Sequence, residues 1–575
     1  MAHALAASLR RSDTIRLRFG AFRRSRREAK RSNVEVMTHD ADREARAAWW
    51  QSGVVYQIYP LSFSDSNGDG MGDLRGIRER LDYLVWLGVD ALWISPFYPS
   101  PMADFGYDVS DYCGVDARFG DVSEFDALLA EAHRRGLRII LDFIPNHTSD
   151  QHPFFQEARS SRESELRDYY IWRDPAPDGG PPNNWLSEFG GSAWQLDAAT
   201  GQYYYHAFLK EQPDLNWRNP RVREAMHGFL RFWLDRGVDG FRIDAIHHLF
   251  KDEALRNNPQ NPEYRPGMSP RRRLIRKYTT DLPEVHDAVR ELRALVESYG
   301  ERVLIGEAWL PFDRLMAYYG ASLDCFHLPF NFHLIGTRWE APALRAMIDE
   351  YEAALPRGAW PNWVLGNHDR SRIATRVGRA QARVAAVLLC TLRGTPTLYY
   401  GDELGMVDVP IPPSLVQDPY EKNVPGLGLG RDPERTPMQW SPAAHAGFSS
   451  AAPWLPLSDT YARDNVEVQR EDPASVLSLY RALLALRRVR PSLSLGDYAG
   501  LDTGERVLGY TRALGARRDA VLLNLGARRE PARAAGVDGA SILLSTHPAR
   551  AGARFDGELG PDEAVVLDLS ERVET

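Results

Sequence analysis

Three acidic side chains stand directly after short apolar runs that have the length of β-strands. Asp244 ends the run GFRID, Glu307 ends RVLIGE, and Asp369 follows WVLGNH. A carboxyl group can attack as a nucleophile when it is ionised, and it can donate a proton when it is not. These positions indicate acid–base and nucleophilic chemistry, provided that the fold brings the three strand ends together.

The neighbours of these acids suit such chemistry. On a strand, residues i and i+2 share a face, so Arg242 points the same way as Asp244, and an adjacent guanidinium favours the ionised carboxylate. Trp309 follows Glu307, and desolvation by an indole ring would raise the pKa of that carboxyl group, as a general acid requires. A buried salt bridge and a solvated strand end are the structural alternatives. Three strand-end acids with two histidines and an arginine are hard to explain as separate accidents.

Most glycoside hydrolases use a pair of carboxyl groups that flank the scissile glycosidic bond. A separation of about 5–5.5 Å accompanies retention of configuration, and one of about 6.5–9.5 Å accompanies inversion. The sequence does not contain that distance, so both outcomes stay open at this point.

The elements that must position these acids alternate between strand-like and helix-like segments. Strand-like runs that are apolar on both faces occur at 54–59, 90–95, 137–144, 240–244, 302–308 and 396–403. Such runs suit a parallel sheet covered by helices, either an open doubly wound sheet or a barrel. No dinucleotide or phosphate-binding glycine loop is present, and polar residues gather where strands end, as in barrel enzymes. The predicted fold class is α/β, a (β/α)8 TIM barrel.

The segment 121–136 shows the helix pattern most clearly. Asp121 can cap its start and Gly136 can end it. One face carries an apolar stripe formed by Phe125, Leu128, Leu129 and Ala132.

Changes in composition and in hydrophobic periodicity along the chain mark the domain boundaries. Residues 148–216 are rich in aromatics, Gly and Pro without helix periodicity, which predicts an inserted subdomain B between two parts of the barrel, 46–147 and 217–489. Short alternating runs over 490–575 predict a C-terminal antiparallel β-domain. Residues 1–45 begin with an Arg-rich stretch that predicts a disordered tail, a targeting presequence or wrongly included upstream sequence. The ordinary beginning at Met37 favours the last of these.

Composition excludes several classes of function. The net charge of −8 argues against a nucleic-acid surface, which needs clustered Lys and Arg. No apolar run reaches the length of a membrane span. The three cysteines are odd in number and far apart, so we expect no disulfide framework and a reducing, cytoplasmic location. We expect a monomer or a weak homo-oligomer.

Six segments in this chain resemble glycoside hydrolase family 13, the α-amylase superfamily, and within it the oligo-1,6-glucosidase and α-glucosidase branch. They follow the family's order and approximate spacing, and they are DFIPNH (142–147), QPDLN (212–216), GFRIDA (240–245), GEAW (306–309), GNHD (366–369) and RTPMQW (435–440). The resemblance covers residues 50 to 575.

The resemblance implies retention of configuration, with Asp244 as the nucleophile, Glu307 as the acid/base and Asp369 as the residue that holds sugar hydroxyls. Other positions match the family's substrate-binding residues. The first sugar would be surrounded by Tyr107, His147, Arg242 and His368. The pocket would be closed by Asp104 and Arg431, which would make the enzyme exo-acting. The residues near the entrance are Phe189, Phe208 and Gln212. The residue after the nucleophile tracks linkage preference in this branch, and Ala245 tilts the prediction toward α-1,4 bonds or sucrose.

The loop DSNGDGMGD (65–73) places oxygen-bearing side chains at alternate positions, with Gly70 at the turn, as in the first half of an EF-hand. The glutamate at position twelve of such a loop is missing, and a Gly/Asp turn without metal is the alternative. The family resemblance implies one structural Ca²⁺ or Mg²⁺ and no organic cofactor. Its ligands would be Asp65, Asn67, Asp69, Asp73 and the carbonyl group of Met71.

The sequence therefore predicts an exo-acting α-glucosidase that releases terminal glucose from short oligosaccharides. Three alternatives stay open. A transglycosylase or isomerase, such as trehalose synthase or sucrose isomerase, would use the same acids but keep water out. A phosphosugar hydrolase would need a cationic phosphate clamp. A non-catalytic heavy chain of amino-acid transporters would carry a membrane helix and lack the full set of acids.

Overall fold

The computed structural model describes residues 47–570. The N-terminal extension predicted over residues 1–45 lies outside these residues.

Eight parallel strands form the central sheet. In chain order they are β1 (Val55–Ile58), β2 (Ala91–Ile94), β3 (Arg138–Phe143), β4 (Gly240–Ile243), β5 (Val303–Gly306), β6 (Leu328–Pro329), β7 (Asn362–Val364) and β8 (Thr395–Tyr399). They are hydrogen-bonded in the order β7-β8-β1-β2-β3-β4-β5-β6, and a parallel bridge between Asn331 and Trp363 joins the two ends. The ring is closed, which confirms the predicted (β/α)8 barrel.

The six predicted strand runs correspond to β1 to β5 and β8. The three-residue strand β7 is the apolar run that precedes Asp369, whereas β6, which has two residues, was not predicted. A strand this short carries no readable alternation, so only the closed ring of hydrogen bonds identifies it.

Helices surround the barrel and connect its strands. The six longest helices are Val122–Arg134, Pro220–Asp235, Val285–Glu297, Ala341–Ala354, Arg379–Thr391 and Val476–Val489. The shorter helices are Trp49–Ser52, Pro60–Phe63, Leu74–Glu79, Leu81–Leu87, Pro153–Ser160, Phe312–Leu315, His333–Gly336, Ile373–Val377, Pro419–Asn423, Val466–Glu471 and Pro491–Leu495.

The helix Val122–Arg134 shows how local sequence sets an element. The Asp121 side chain caps it by accepting the Glu124 N–H, and the predicted stripe of four apolar residues is buried. Gly136 takes a left-handed conformation, with φ of 77°, where the chain turns toward β3. The predicted start, face and end of this helix are confirmed.

The segment between β3 and β4 contains a small antiparallel sheet. Its strands are Trp172–Arg173, Trp194–Asp197 and Gln202–Tyr205. Trp185, Trp194 and Tyr205 form the centre of a separate aromatic cluster. This sheet lies within the predicted insert of 148–216 and stands beside the barrel mouth.

The C-terminal part is an antiparallel β-domain, as predicted. Its five-stranded sheet contains, in hydrogen-bonded order, Asp497–Leu501, Val507–Leu514, Arg517–Asn524, Ala564–Asp568 and Ser541–Ser545, and Glu530–Pro531 pairs with Glu558–Leu559. Tyr510 and Val521 join the hydrophobic core of the barrel, so this sheet supports the barrel from the outside. Within the described residues, no helix is long and apolar enough to cross a membrane.

Candidate active site

A pocket with a volume of about 1010 Å³ opens at the carboxyl ends of the barrel strands. Asp244, Glu307 and Asp369 line it together, because the strands β4, β5 and β7 end at the same edge. Eleven of the thirteen predicted catalytic and substrate-binding residues are on its wall. The other two, Arg242 and Gln212, are buried behind the wall.

Arg242 links three carboxyl groups at the floor of this pocket. Its Nη1 lies 2.7 Å from Asp142 Oδ1 and 2.7 Å from Asp244 Oδ1, and its Nη2 lies 2.6 Å from Glu307 Oε2. The arginine side chain is only 1% exposed. The nucleophile and the acid predicted from the sequence are therefore held side by side by one guanidinium.

Glu307 receives two further hydrogen bonds that fix its carboxyl group. The Ala245 N–H donates to Oε2 at 2.9 Å, and Trp309 Nε1 donates to Oε1 at 3.0 Å. Ala245 adopts a left-handed conformation, with φ of 43°, which is uncommon for a residue with a side chain and marks a constrained turn. That turn directly follows Asp244 and aims its amide at Glu307.

The environment of Asp244 favours its protonated form more than the sequence suggested. Burial raises the pKa of Asp244 well above its usual value, Arg242 lowers it, and the Glu307 and Asp142 carboxylates raise it again. Burial also raises the pKa of Asp142, to about 6, against the lowering effect of Arg242. Three carboxyl groups around one guanidinium repel each other, so the cluster holds on to a proton. A retaining glycosidase needs one proton on this set of groups.

Asp369 is held in its ionised form. Burial would raise its pKa, but the positive charges of Arg431 and Arg435 oppose burial, and the pKa lies below its usual range. Arg431 Nη1 lies 3.1 Å and Arg435 Nη2 lies 2.9 Å from Asp369 Oδ1. Its other oxygen can accept hydrogen bonds from the hydroxyl groups of a sugar.

His368 and Tyr107 form a stacked wall that is tied to the floor. Their rings are 5.3 Å apart and nearly parallel. The Tyr107 hydroxyl lies 3.1 Å from Asp142 Oδ2, to which it donates, and 2.7 Å from His368 Nε2. Gln57 Nε2 lies 2.7 Å from His368 Nδ1, so this ring nitrogen accepts and Nε2 donates. Burial lowers the pKa of His368 to about 3, so the ring is neutral.

An ion pair closes one end of the pocket. Arg431 Nη2 lies 2.6 Å from Asp104 Oδ1, which joins the loop after β2 to the segment after β8. Asp418 binds the same guanidinium at 2.7 Å, and Gln212 Nε2 donates to Asp104 Oδ2 at 3.3 Å. The loops that carry Asp104 and Arg431 are 327 residues apart in sequence and form one wall only in the folded barrel.

His147, at the end of the first part of the barrel, and the insert that follows it supply the remaining side of the pocket. His147 Nε2 lies 3.0 Å from the Tyr107 carbonyl oxygen, to which it donates, and burial lowers the pKa of His147 to about 4. The Phe208 ring lies 5.2 Å from that of His147, and the Phe189 ring lies 5.0 Å from the guanidinium of Arg431. The three aromatic side chains therefore meet at the rim.

Several functional-site residues were not in the predicted set. Asp142 and Arg435 were visible only as members of the segments DFIPNH and RTPMQW, and their side chains complete the hydrogen bonding of Arg242 and Asp369. Asp418 is in no recognisable motif, and its partner Arg431 is 13 residues away. Only the folded loop after β8 brings Asp418 into the site.

The loop predicted to bind a metal is built from consecutive turns. Asp65 accepts the Asn67 N–H at 2.9 Å, and Asp69 accepts the Met71 N–H at 2.9 Å. Asp73 caps the helix Leu74–Glu79. No three His, Cys, Asp or Glu side chains of residues 47–570 are grouped to hold a metal by themselves. A cation here would therefore also need the amide and carbonyl oxygens of Asn67 and Met71, and an all-oxygen set of this kind suits Ca²⁺ or Mg²⁺.

Comparisons with known proteins agree with this architecture. The chain belongs to the α-amylase family, because the family model for the alpha amylase catalytic domain matches residues 57–496. A probable alpha-glucosidase of Rhizobium meliloti (strain 1021) is 43% identical over 492 residues, which cover 83% of this chain and 89% of that protein. An oligo-1,6-glucosidase of Parageobacillus thermoglucosidasius is 38% identical over 514 residues, which cover 83% of this chain and 90% of that protein.

A solved structure of an α-glucosyl transfer enzyme is 41% identical, with a TM-score of 0.86, and the match covers 91% of this chain and 100% of that one. The predicted family and the predicted class, a glycoside hydrolase of the α-glucosidase branch, are confirmed.

Replacement of Asp142 by Asn should extend activity to lower pH. As the predicted nucleophile, Asp244 must be ionised, so kcat/KM is expected to fall as the pH drops through its raised pKa. Removing the neighbouring negative charge lowers that pKa, and the acid limb of the kcat/KM profile is expected to move down by about one pH unit. Asp178→Asn, at an exposed site in the insert, is the control. An acid limb that stays in place or moves up would contradict this account of the cluster.

Proposed function

We propose that this protein is a retaining, exo-acting α-glucosidase that hydrolyses terminal α-linked glucose from short oligosaccharides, with α-1,4 (maltose-type) bonds or sucrose preferred over α-1,6 bonds. The observation that carries the proposal is the pairing of Asp244 and Glu307 on the two terminal nitrogens of Arg242. Two carboxyl groups held by one guanidinium are adjacent, which favours the shorter separation of retaining enzymes.

The proposed reaction has two steps. Asp244 attacks the anomeric carbon while Glu307 donates its proton to the glycosidic oxygen, so that the aglycone leaves as an alcohol and a glucosyl ester forms on Asp244. Glu307, now ionised, takes a proton from a water molecule that attacks the anomeric carbon, and Asp244 leaves as a carboxylate. Asp369 holds hydroxyl groups of the sugar as the ring flattens toward an oxocarbenium ion.

The closed end of the pocket supports exo action. The pair between Asp104 and Arg431 blocks continuation of the sugar chain past the first unit, so the bond cleaved is that of the terminal glucose. Ala245 directly follows Asp244, is 5% exposed and stands on the pocket wall. Its small side chain leaves room for the α-1,4 geometry of the leaving sugar, which is the basis for the linkage preference.

Transfer to a sugar acceptor is the second candidate function. It is favoured by the similarity to an α-glucosyl transfer enzyme and would use the same acids, with a hydroxyl group in place of water in the second step. A non-catalytic function is opposed by the complete set of three acids in one pocket. The free thiols of Cys113, Cys325 and Cys390 support the proposal of a cytoplasmic location.

Substitutions of the two reacting carboxyl groups test the mechanism. Asp244→Ala is expected to lower kcat on maltose by about 10⁴-fold or more, because no nucleophile remains. Glu307→Gln is expected to lower it by about 10²–10⁴-fold, yet to form the glucosyl ester from α-glucosyl fluoride, whose leaving group departs without a proton. Glu301→Gln, an exposed glutamate just before β5, is the control. Maltose hydrolysis at the unaltered rate by either active-site variant would overturn the mechanism.

Kinetics on maltose, isomaltose and sucrose test the linkage preference. We expect kcat/KM to be about tenfold higher for maltose or sucrose than for isomaltose, since one pocket wall discriminates by roughly that factor. Ala245→Val is expected to shift the ratio toward isomaltose. Analysis of products separates hydrolysis, which gives free glucose, from transfer, which gives new disaccharides. A strong isomaltose preference in the unaltered enzyme would refute the linkage proposal.

We further propose one structural Ca²⁺ or Mg²⁺ at the loop that carries Asp65, Asn67 and Asp69. The ion would tie together turns that already place oxygen atoms at alternate positions, and it would take no part in the reaction. Chelation is expected to lower the melting temperature, because an ion that binds only the folded state stabilises it, and to leave kcat at low temperature unchanged. The Asp69→Asn variant should respond less. An unchanged melting temperature after chelation would overturn the metal proposal.

A further inference from the structure

Six arginines line the pocket, and we call four of them the arginine rim; the other two are Arg376 and Arg431. Arg271, Arg272 and Arg276 belong to the long segment between β4 and β5, and Arg370 directly follows Asp369. All four lie on the pocket wall, whereas Arg273, in the same segment, does not. The rim is therefore a feature of the pocket and not of the arginine-rich sequence alone.

One residue of the arginine rim, Arg370, lies on the side from which the aglycone leaves. Glu307 protonates the leaving oxygen in the proposed mechanism, so its surroundings mark the aglycone side. Trp309 donates to Glu307 at 3.0 Å, and the Arg370 guanidinium lies 4.4 Å from the centre of the Trp309 ring. Asp104 and Arg431 close the opposite end, where the terminal glucose binds.

Acidic side chains do not neutralise the arginine rim. Glu188 pairs with both Arg271 and Arg276, so two positive charges share one negative charge. Arg272 and Arg370 are exposed, and neither makes an ion pair within the described part of the chain. The rim carries an excess of positive charge within the pocket, and Arg370 places part of it on the aglycone side.

The other acids on this wall are already engaged. Asp408 accepts hydrogen bonds from the Ser371 hydroxyl and the Arg372 N–H. Burial raises the pKa of Glu434 well above its usual value, which favours its neutral form. Burial, and then the charge of Arg276, lower the pKa of Arg271 to about 10, with further contributions from Arg370 and Arg272. Mutual repulsion of this kind is relieved when an anion binds.

We propose that the arginine rim binds a carboxylate or phosphate group on the aglycone, so that the preferred substrates are α-glucosides whose leaving alcohol is an anion. This inference rests on the proposed function and specifies its substrate class. Guanidinium groups bind carboxylate and phosphate through paired, charge-assisted hydrogen bonds. The charge preference is confined to the aglycone, because at the other end Arg431 is already shared by Asp104, Asp369 and Asp418.

The test compares two substrates that differ by one charge, 4-(α-D-glucosyloxy)benzoate and 4-(α-D-glucosyloxy)benzamide. The benzoate is expected to have a kcat/KM about tenfold higher, chiefly through a lower KM, as for a single charge-assisted contact. The carboxamide is the more electron-withdrawing group, so leaving-group chemistry alone would favour the benzamide. The preference should shrink in about 1 M salt, where screening acts over about 3 Å.

Variants of the rim assign the preference to its residues. Arg272→Gln and Arg370→Gln should each lower the ratio of benzoate to benzamide kcat/KM, and the double variant should bring it close to one. Arg273→Gln, an exposed neighbour off the pocket wall, is the matched control and should keep the full ratio. A 4-(α-D-glucosyloxy)phenyl phosphate arm, compared with the 4-hydroxyphenyl glucoside, shows whether phosphate or carboxylate is preferred.

The outcomes separate this inference from the proposed function. Equal kcat/KM for all anionic and neutral glucosides, or a ratio that survives both salt and the double variant, would overturn the substrate class while leaving the α-glucosidase intact. Failure to hydrolyse any of the four glucosides would overturn the proposed function itself. A glucoside with phosphate on the glucose unit should be a poor substrate, and efficient hydrolysis of it would contradict the confinement of the charge preference.

Discussion

The site depends on one buried positive charge. Arg242 is shielded from water and touches Asp142, Asp244 and Glu307 at once. A buried charge is tolerated only when it is paired and hydrogen-bonded, so these acids are needed to keep the arginine in place as much as the arginine is needed to hold them. The excess of carboxyl groups over guanidinium groups then keeps a proton in the cluster. One arrangement thus holds Asp244 and Glu307 side by side and retains a proton in the cluster.

The barrel gives this arrangement its rigidity. Asp142, Asp244 and Glu307 come from the ends of the adjacent strands β3, β4 and β5, whose register is fixed by backbone hydrogen bonds. The left-handed turn at Ala245 then sends an N–H to Glu307. A constrained backbone at that point persists because the strands on both sides are buried and paired. The rest of the pocket is made by long loops, which can vary without disturbing the floor.

Charge is distributed unevenly along the pocket. At the closed end, Arg431 pairs with three acids, which neutralise its positive charge within the protein. At the mouth, the arginine rim has one acid, Glu188, for four guanidinium groups. Low-dielectric walls concentrate such a field within a cleft, so the two ends of the pocket favour different ligands: neutral hydroxyl groups inside and anions outside.

The sequence by itself determined the class of fold, the family and the three acids that meet in the pocket. It could do so because parallel strands are continuous apolar runs, and because side chains that do chemistry must follow them at the barrel mouth. The helix Val122–Arg134 was equally predictable, since its cap and its apolar face are local. Strand β6 was not, because two residues carry no periodicity.

Only the tertiary structure decided which charges meet. The sequence paired Arg242 with Asp244 alone, but folding adds Asp142 and Glu307, so burial and repulsion outweigh the arginine at the nucleophile. Asp418 and Asp104 reach Arg431 from segments that share no motif. The arginine rim likewise depends on which arginines of one segment turn toward the pocket. Electrostatic energies depend on the distance between charges and on their burial, and the amino-acid sequence alone gives neither quantity.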